Sequence, residues 1–128
     1  MADMNSVGQA AALLAALIHV AIFAMESLFF ARPAIRSRFR VGAEDVAAVR
    51  PWAFNQGFYN LFLAIGCFTG LILLHASSEP AGRALVALTC GSMLGAALVL
   101  IGTDRRMARA AALQGLLPLI ALILLIVA

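Results

Sequence analysis

Charge is what this chain has least of. Only 12% of its 128 residues are charged, against 64% hydrophobic, and the mean hydropathy is +1.02. A water-soluble domain carries about a quarter charged residues, because its surface must meet water. Nine arginines, no lysine and six acids cannot coat a soluble 13.4 kDa globule, so the apolar surplus must face lipid. This excludes a nucleic-acid-binding domain, despite a pI near 9.7, and a disordered tail. It also argues against a soluble dinucleotide-binding enzyme.

Other absences narrow the chemistry. The two cysteines, Cys67 and Cys90, fall inside apolar runs without a zinc-like spacing, and read as small packing residues. No glycine-rich nucleotide loop and no haem-attachment sequence is present, so no cofactor and no metal is expected. A non-covalent haem on His19 is the one cofactor left open, and a single central histidine argues against it. Apolar and polar residues do not alternate, which excludes a β-barrel.

What is present is four apolar runs, at about 8–30, 52–75, 82–102 and 110–128. A helix needs about 20 residues to cross a ~30 Å hydrocarbon core, and in lipid the backbone must satisfy its own hydrogen bonds. The expectation is an all-α, integral membrane four-helix bundle forming a single four-span domain over 1–128, with the bilayer as its main partner. The segment before the first run holds Asp3 and no basic residue, and the basic cluster follows the run. That order is the reverse of a secretory signal, so the first run is expected to stay as an anchor.

Arginine placement sets the orientation. Arg32, Arg36, Arg38, Arg40 and Arg50 lie in loop 1, and Arg105, Arg106 and Arg109 in loop 3; the other side has only Arg83. Under the positive-inside rule, loops 1 and 3 are expected in the cytoplasm and both termini outside. Anionic-lipid contact is a second role for such a juxtamembrane basic segment. Within loop 1, residues 43–49 have the composition of a short surface helix ended by Pro51, followed by Trp52 at the interface. Gly66 with Gly70, and Gly91 with Gly95, give two faces for close helix contact, within the bundle or in a homodimer.

The informative residues are the polar ones inside the spans, where ionisable and amide groups are costly and usually face an interior cavity. They are His19 and Glu26 in span 1, Asn55, Gln56, Tyr59 and Asn60 in span 2, Thr89 and Ser92 in span 3, and Gln114 in span 4. Glu26, the span 2 group and Gln114 each lie within ~15 Å of the arginine-rich loops at ~1.5 Å per residue, so three helices bring polar groups to one layer. His19 and Glu26 are seven apart, on one face but ~10 Å apart vertically, too far to share a metal ion. Gln56 and Asn60 stack at i and i+4, as do Asn55 and Tyr59, and Gly57 leaves room for close approach. Thr89 and Ser92 are expected to bond back to their own helix, and His75 to sit at the interface. Glu26 stands apart, because a carboxyl there must be protonated, paired or hydrated.

The stretch Asn55-Gln-Gly-Phe-Tyr-Asn-Leu-Phe-Leu-Ala-Ile-Gly66 resembles the signature NQGxYNxFLAxG of the small bacterial membrane proteins catalogued as domain of unknown function 1304. In that family span 1 carries a His, then a Glu, then a Phe, comparable with His19, Glu26 and Phe29 or Phe30. The last span has a Gln followed by a Pro, resembling Gln114 and Pro118. The family commonly has an acid directly before the His and an aromatic soon after; here Ile18 and Val20 stand there. The resemblance implies the four-helix fold and this group of motif residues, and no activity.

Two sharper functions compete. In the first, a small lipophilic molecule binds a cytoplasm-facing polar pocket in the bundle and is transformed by proton transfer, as an isomerase would. Glu26 moves the proton, His19 and Tyr59 orient or polarise, and Asn55, Gln56, Asn60 and Gln114 hold the ligand. In the second, Glu26 serves a small proton-coupled transporter or efflux subunit, although eight arginines against one commit the chain to one orientation. A third reading is an accessory subunit of a membrane complex, with the amides joining helices.

Overall fold

The computed structural model describes residues 4–76 and 78–127, so Asp3 and Ala128 lie outside the described residues. All described elements are helical. Helix α1 (Ser6–Phe23) is capped by the Asn5 side chain, which accepts from the Gly8 N–H at 2.8 Å, and runs on into a π-turn, Ala24–Leu28. Helix α2 (Pro33–Arg36) and two 3-10 turns, Ser37–Phe39 and Ala43–Asp45, make up most of loop 1. Helix α3 is Val46–Leu74 and α4 is Glu79–Thr103. The 3-10 turn Arg105–Met107 leads into α5, Ala108–Val127.

Four of these helical segments are long and apolar enough to cross a membrane: Ser6–Leu28, Ala43–Leu74, Glu79–Thr103 and Arg105–Val127. The chain is a multi-pass helical membrane protein built as a four-helix bundle. Its side-chain distribution is the inverse of a soluble bundle. The buried stripe of α1 is Gly8, Ala11, Ala12, Ala15, Ala16, His19 and Ile22, mostly small, while Leu13, Leu14 and Leu17 point outward. Small residues let backbones approach closely where no hydrophobic effect drives helices together, and large apolar side chains are left to lipid.

Contacts between helices fix an up-down-up-down order in which each helix packs on its sequence neighbour and α5 closes against α1. A Cβ on Gly8 would meet Leu124 Cβ at 2.9 Å. The Cys67 thiol reaches the Ala12 carbonyl at 3.5 Å, joining α3 to α1. Gly70 faces the Gly82 carbonyl, and Gly115 faces Ala97. Of the two glycine faces, Gly66 and Gly70 are used inside the bundle, against Thr89 and Gly82, while Gly91 and Gly95 have nothing within 4 Å of a built Cβ. Cys67 and Cys90 are both buried free thiols. The end opposite the arginine-rich loops is tied by His75, whose Nε2 donates to Gln9 Oε1 at 2.6 Å, and by Arg83, which donates to the Leu125 carbonyl at 2.6 Å.

The helix stop expected at Pro51 does not occur. Helix α3 starts at Val46 and passes through Pro51 without interruption. Its 29 residues extend ~43 Å, well beyond a ~30 Å hydrocarbon core. Pro51 has no N–H to offer the Ala47 carbonyl, and both residues are exposed near the start of the helix.

Loop 1 folds back on itself at the end of α1. Phe30 is buried and its ring lies 5.8 Å from that of Phe39, while the Arg32 guanidinium sits 4.4 Å over the Phe29 ring. Arg40 ends the short helical stretch in a left-handed conformation, φ 59°. The Val41 N–H bonds the Arg36 carbonyl and the Arg40 N–H bonds the Ser37 carbonyl, the pattern by which helices close on a left-handed residue.

Candidate functional site at Glu26 and Asn60

The π-turn is what brings Glu26 inward. The Phe29 N–H reaches back five residues to the Ala24 carbonyl at 3.0 Å, and this wider turn encloses Glu26. Such turns are uncommon and recur at functional sites. The following residue, Ser27, donates its hydroxyl to the Phe54 carbonyl on α3 at 2.8 Å. Ser27 Oγ lies against the Cα of Gly57, in space that a Cβ would occupy, and the Phe23 carbonyl lies 3.1 Å from that Cβ position. Gly57 therefore permits the close approach of span 1 to span 2.

That approach pairs two of the expected residues. Asn60 Nδ2 donates to Glu26 Oε1 at 3.3 Å and also to the Gln56 carbonyl at 3.1 Å. Both side chains are buried. Glu26 Oε2 is buried without a hydrogen-bond partner among the described residues. One carboxyl oxygen is thus held and the other is buried without a partner.

The neighbours of Asn60 on α3 are not brought in with it. Asn55, Gln56 and Tyr59 are exposed, Tyr59 at 64%. Helix geometry accounts for this, since at ~100° per residue Gln56 lies ~40° from Asn60, Tyr59 ~100° and Asn55 ~140°. The buried stripe Ala53, Gly57, Asn60, Ala64, Cys67 leaves Gln56 on its flank and the other two outside. Tyr59 instead packs edge-on to Phe62, with ring centroids 6.5 Å apart. Gln114 is half-buried on α5, between Ala111 and Gly115.

His19 is buried in the last third of α1, and its Nδ1 donates to the Ala15 carbonyl of its own helix at 2.8 Å. In a neutral ring this leaves Nε2 as the acceptor. Thr89 and Ser92 donate to the Leu85 and Leu88 carbonyls at 2.8 and 2.7 Å, the back-bonding expected of them. No group of three or more His, Cys, Asp or Glu side chains that could hold a metal ion occurs among the described residues. Ser27 was not among the residues singled out from the sequence; the signal for it was Gly57, which marks a close contact without naming the partner.

Two open hollows lie at the arginine-rich end. One, of ≈ 470 Å³, is lined by Ala47, Arg50, Pro51, Phe54 and Asn55. The other, of ≈ 350 Å³, is lined by Ser37, Arg40, Val41, Gly42 and Arg106. Neither is lined by Glu26 or His19.

The profile of a protein family of unknown function, DUF1304, matches residues 13–126, nearly the whole chain, and the chain belongs to that family. No curated protein and no solved structure matches it.

Proposed function

We propose that this member of the DUF1304 family binds a small lipophilic molecule at the Glu26–Asn60 pair and moves a proton on it through Glu26. The observation that carries this reading is the asymmetry of one carboxyl: Oε1 accepts from Asn60, and Oε2 is buried without a partner among the described residues. A buried, unpartnered oxygen on an ionisable group has no packing role and costs stability, which functional sites tolerate. Asn60 positions the carboxyl; Oε2 takes a proton from one carbon of the ligand and returns it to another. The net change is an isomerisation, with no electron acceptor and no leaving group. The exposed amide of Gln56 lies on the flank of the same buried stripe, where it can meet a ligand arriving from the bilayer.

Transport is less well supported. The polar groups deeper in the bundle are tied to their own helices: His19 to Ala15, Thr89 to Leu85 and Ser92 to Leu88. The same reading puts the arginine-rich end in the cytoplasm, on the strength of eight arginines against one.

Native mass spectrometry of the protein extracted from its own membrane tests the binding. Wild type is expected to carry a small-molecule adduct that Glu26→Gln and Asn60→Leu lose about tenfold or more, the equivalent of one charge-assisted hydrogen bond. An adduct retained equally by both variants, or no adduct on wild type, overturns the reading.

A further inference from the structure

The two arginine-rich loops meet. Ser37, Arg40, Val41 and Gly42 from loop 1, with Arg106 from loop 3, line a single open hollow of ≈ 350 Å³. We propose that this hollow binds a phosphate group, carried by an anionic lipid headgroup or by a free phosphate compound.

Three observations support the proposal. First, Arg106 is held in place. Its Nε and Nη2 donate to the two carboxylate oxygens of Asp104 at 2.9 and 3.0 Å, which fixes the guanidinium plane and leaves Nη1 outside the pair. A fixed planar fork is the side chain that best matches the oxygens of a phosphate. Second, Arg40 occupies a left-handed backbone position, φ 59°, where glycine would fit without strain. An L-residue there is disfavoured, so the chain keeps a guanidinium at a position that local folding would give to glycine. Third, charge at this end is one-sided. Loops 1 and 3 hold eight arginines against the three acids Glu44, Asp45 and Asp104. Asp104 is engaged by Arg106, and the Glu44 carboxyl lies against Gly42, so the surplus belongs to the two loops as a whole and not to the lining of the hollow alone. The charge of Arg40 also reaches Asp104 and helps to lower its pKa, which places the two loops within electrostatic range of each other.

The position of the hollow suits a headgroup. Ser37, Arg40, Val41 and Gly42 fall between the membrane-crossing segments Ser6–Leu28 and Ala43–Leu74, and Arg106 is the second residue of Arg105–Val127, the level at which lipid phosphates sit. The Arg32–Phe29 and Phe30–Phe39 contacts hold loop 1 down at that level.

The test uses the full chain in nanodiscs made of equal parts phosphatidylglycerol and phosphatidylcholine of the same acyl chains, with lipid retention read by native mass spectrometry. Wild type should retain phosphatidylglycerol about tenfold over phosphatidylcholine, as two charge-assisted hydrogen bonds allow. Arg40→Gly and Arg106→Gln should each remove most of that preference, while Arg109→Gln, outside the hollow, should leave it within about twofold. Because glycine suits the left-handed position, Arg40→Gly should melt no lower than wild type, which separates lost binding from lost folding. Millimolar inorganic phosphate distinguishes the sources: displacement of the retained lipid assigns the site to phosphate compounds in general, and no displacement assigns it to the headgroup. Absence of a preference in wild type, or an equal loss in Arg109→Gln, overturns the proposal.

Discussion

Ser27 and Gly57 share one space: the Ser27 hydroxyl lies where a side chain at position 57 would begin, and it bonds the Phe54 carbonyl one turn away at 2.8 Å. This contact sets how closely span 1 approaches span 2, and so whether Asn60 reaches Glu26. A methyl group at position 57 must displace both Ser27 and the Phe23 backbone. Gly57→Ala is therefore expected to destabilise the bundle by about 1–3 kcal/mol, as overpacking does, and to weaken adduct retention along with stability. The double variant Gly57→Ala/Ser27→Gly should recover part of the loss. Thermal unfolding in detergent reads both; an unchanged melting temperature in Gly57→Ala would show that the contact does not set the spacing.

Glycines elsewhere in the bundle divide sharply. A Cβ on Gly82 would stand 2.7 Å from the Gly70 carbonyl oxygen and 2.7 Å from the Leu74 backbone nitrogen, neither of which can swing away. Gly91 and Gly95, on the same helix, have open space instead. Gly82→Ala should cost about 1–3 kcal/mol or more. Gly91→Ala and Gly95→Ala should stay within about 0.5 kcal/mol, or gain slightly from alanine's helix preference. Parallel melts of the three variants check the ordering.

The bundle was legible in the sequence because run length and hydropathy are properties of single segments. The site was legible only in part. Glu26 stood out because a carboxyl inside an apolar run has few explanations, and Asn60 was named with it. Asn55, Gln56 and Tyr59 were grouped with Asn60 because depth along the axis is easily counted. Angular position depends on which stripe of α3 is buried, and that stripe is set by the small residues Ala53, Gly57 and Ala64 rather than by the polar ones. The π-turn at Ala24–Leu28 and the passage of α3 through Pro51 escaped for a different reason. The π-turn is seated by the contact of Ser27 with Gly57 on another helix, and Pro51 stands on an exposed side of α3; local propensity carries neither.

The Glu26–Asn60 pair makes its own stability prediction. Asn60→Leu removes the donor to Oε1 and leaves both carboxyl oxygens buried and unpaired, so it should cost about 1–3 kcal/mol. Replacing both residues by leucine removes the desolvated carboxyl as well, and the double variant should regain most of that loss or exceed wild type. Such a cycle measures the coupling directly. A gain in stability with loss of adduct is the outcome expected of a functional site. If the double variant is no more stable than Asn60→Leu alone, the carboxyl imposes no cost and its open oxygen says little about function.

Acid should loosen loop 3 over a defined range. The Asp104 carboxyl accepts from the Arg106 side chain and from the Arg106 backbone N–H, and these bonds, with the charge of Arg40, hold its pKa below the ordinary value of 3.8. A depressed folded-state pKa means that the folded loop binds its proton less readily than the unfolded one. The contribution is therefore fully present above the ordinary carboxylate value and is lost as pH falls through the lower folded one. The Arg106 Nε–H resonance of labelled protein should hold steady from neutral pH down to about 4 and move only below it. In Asp104→Asn that step should vanish, while the α4–α5 packing around Gly115 and Ala97, remote from the carboxyl, stays unchanged. Movement at or above the ordinary carboxylate value would mean that the Asp104–Arg106 pair does not persist in the membrane-bound protein, and Arg106 would then lack the fixed orientation on which phosphate recognition depends.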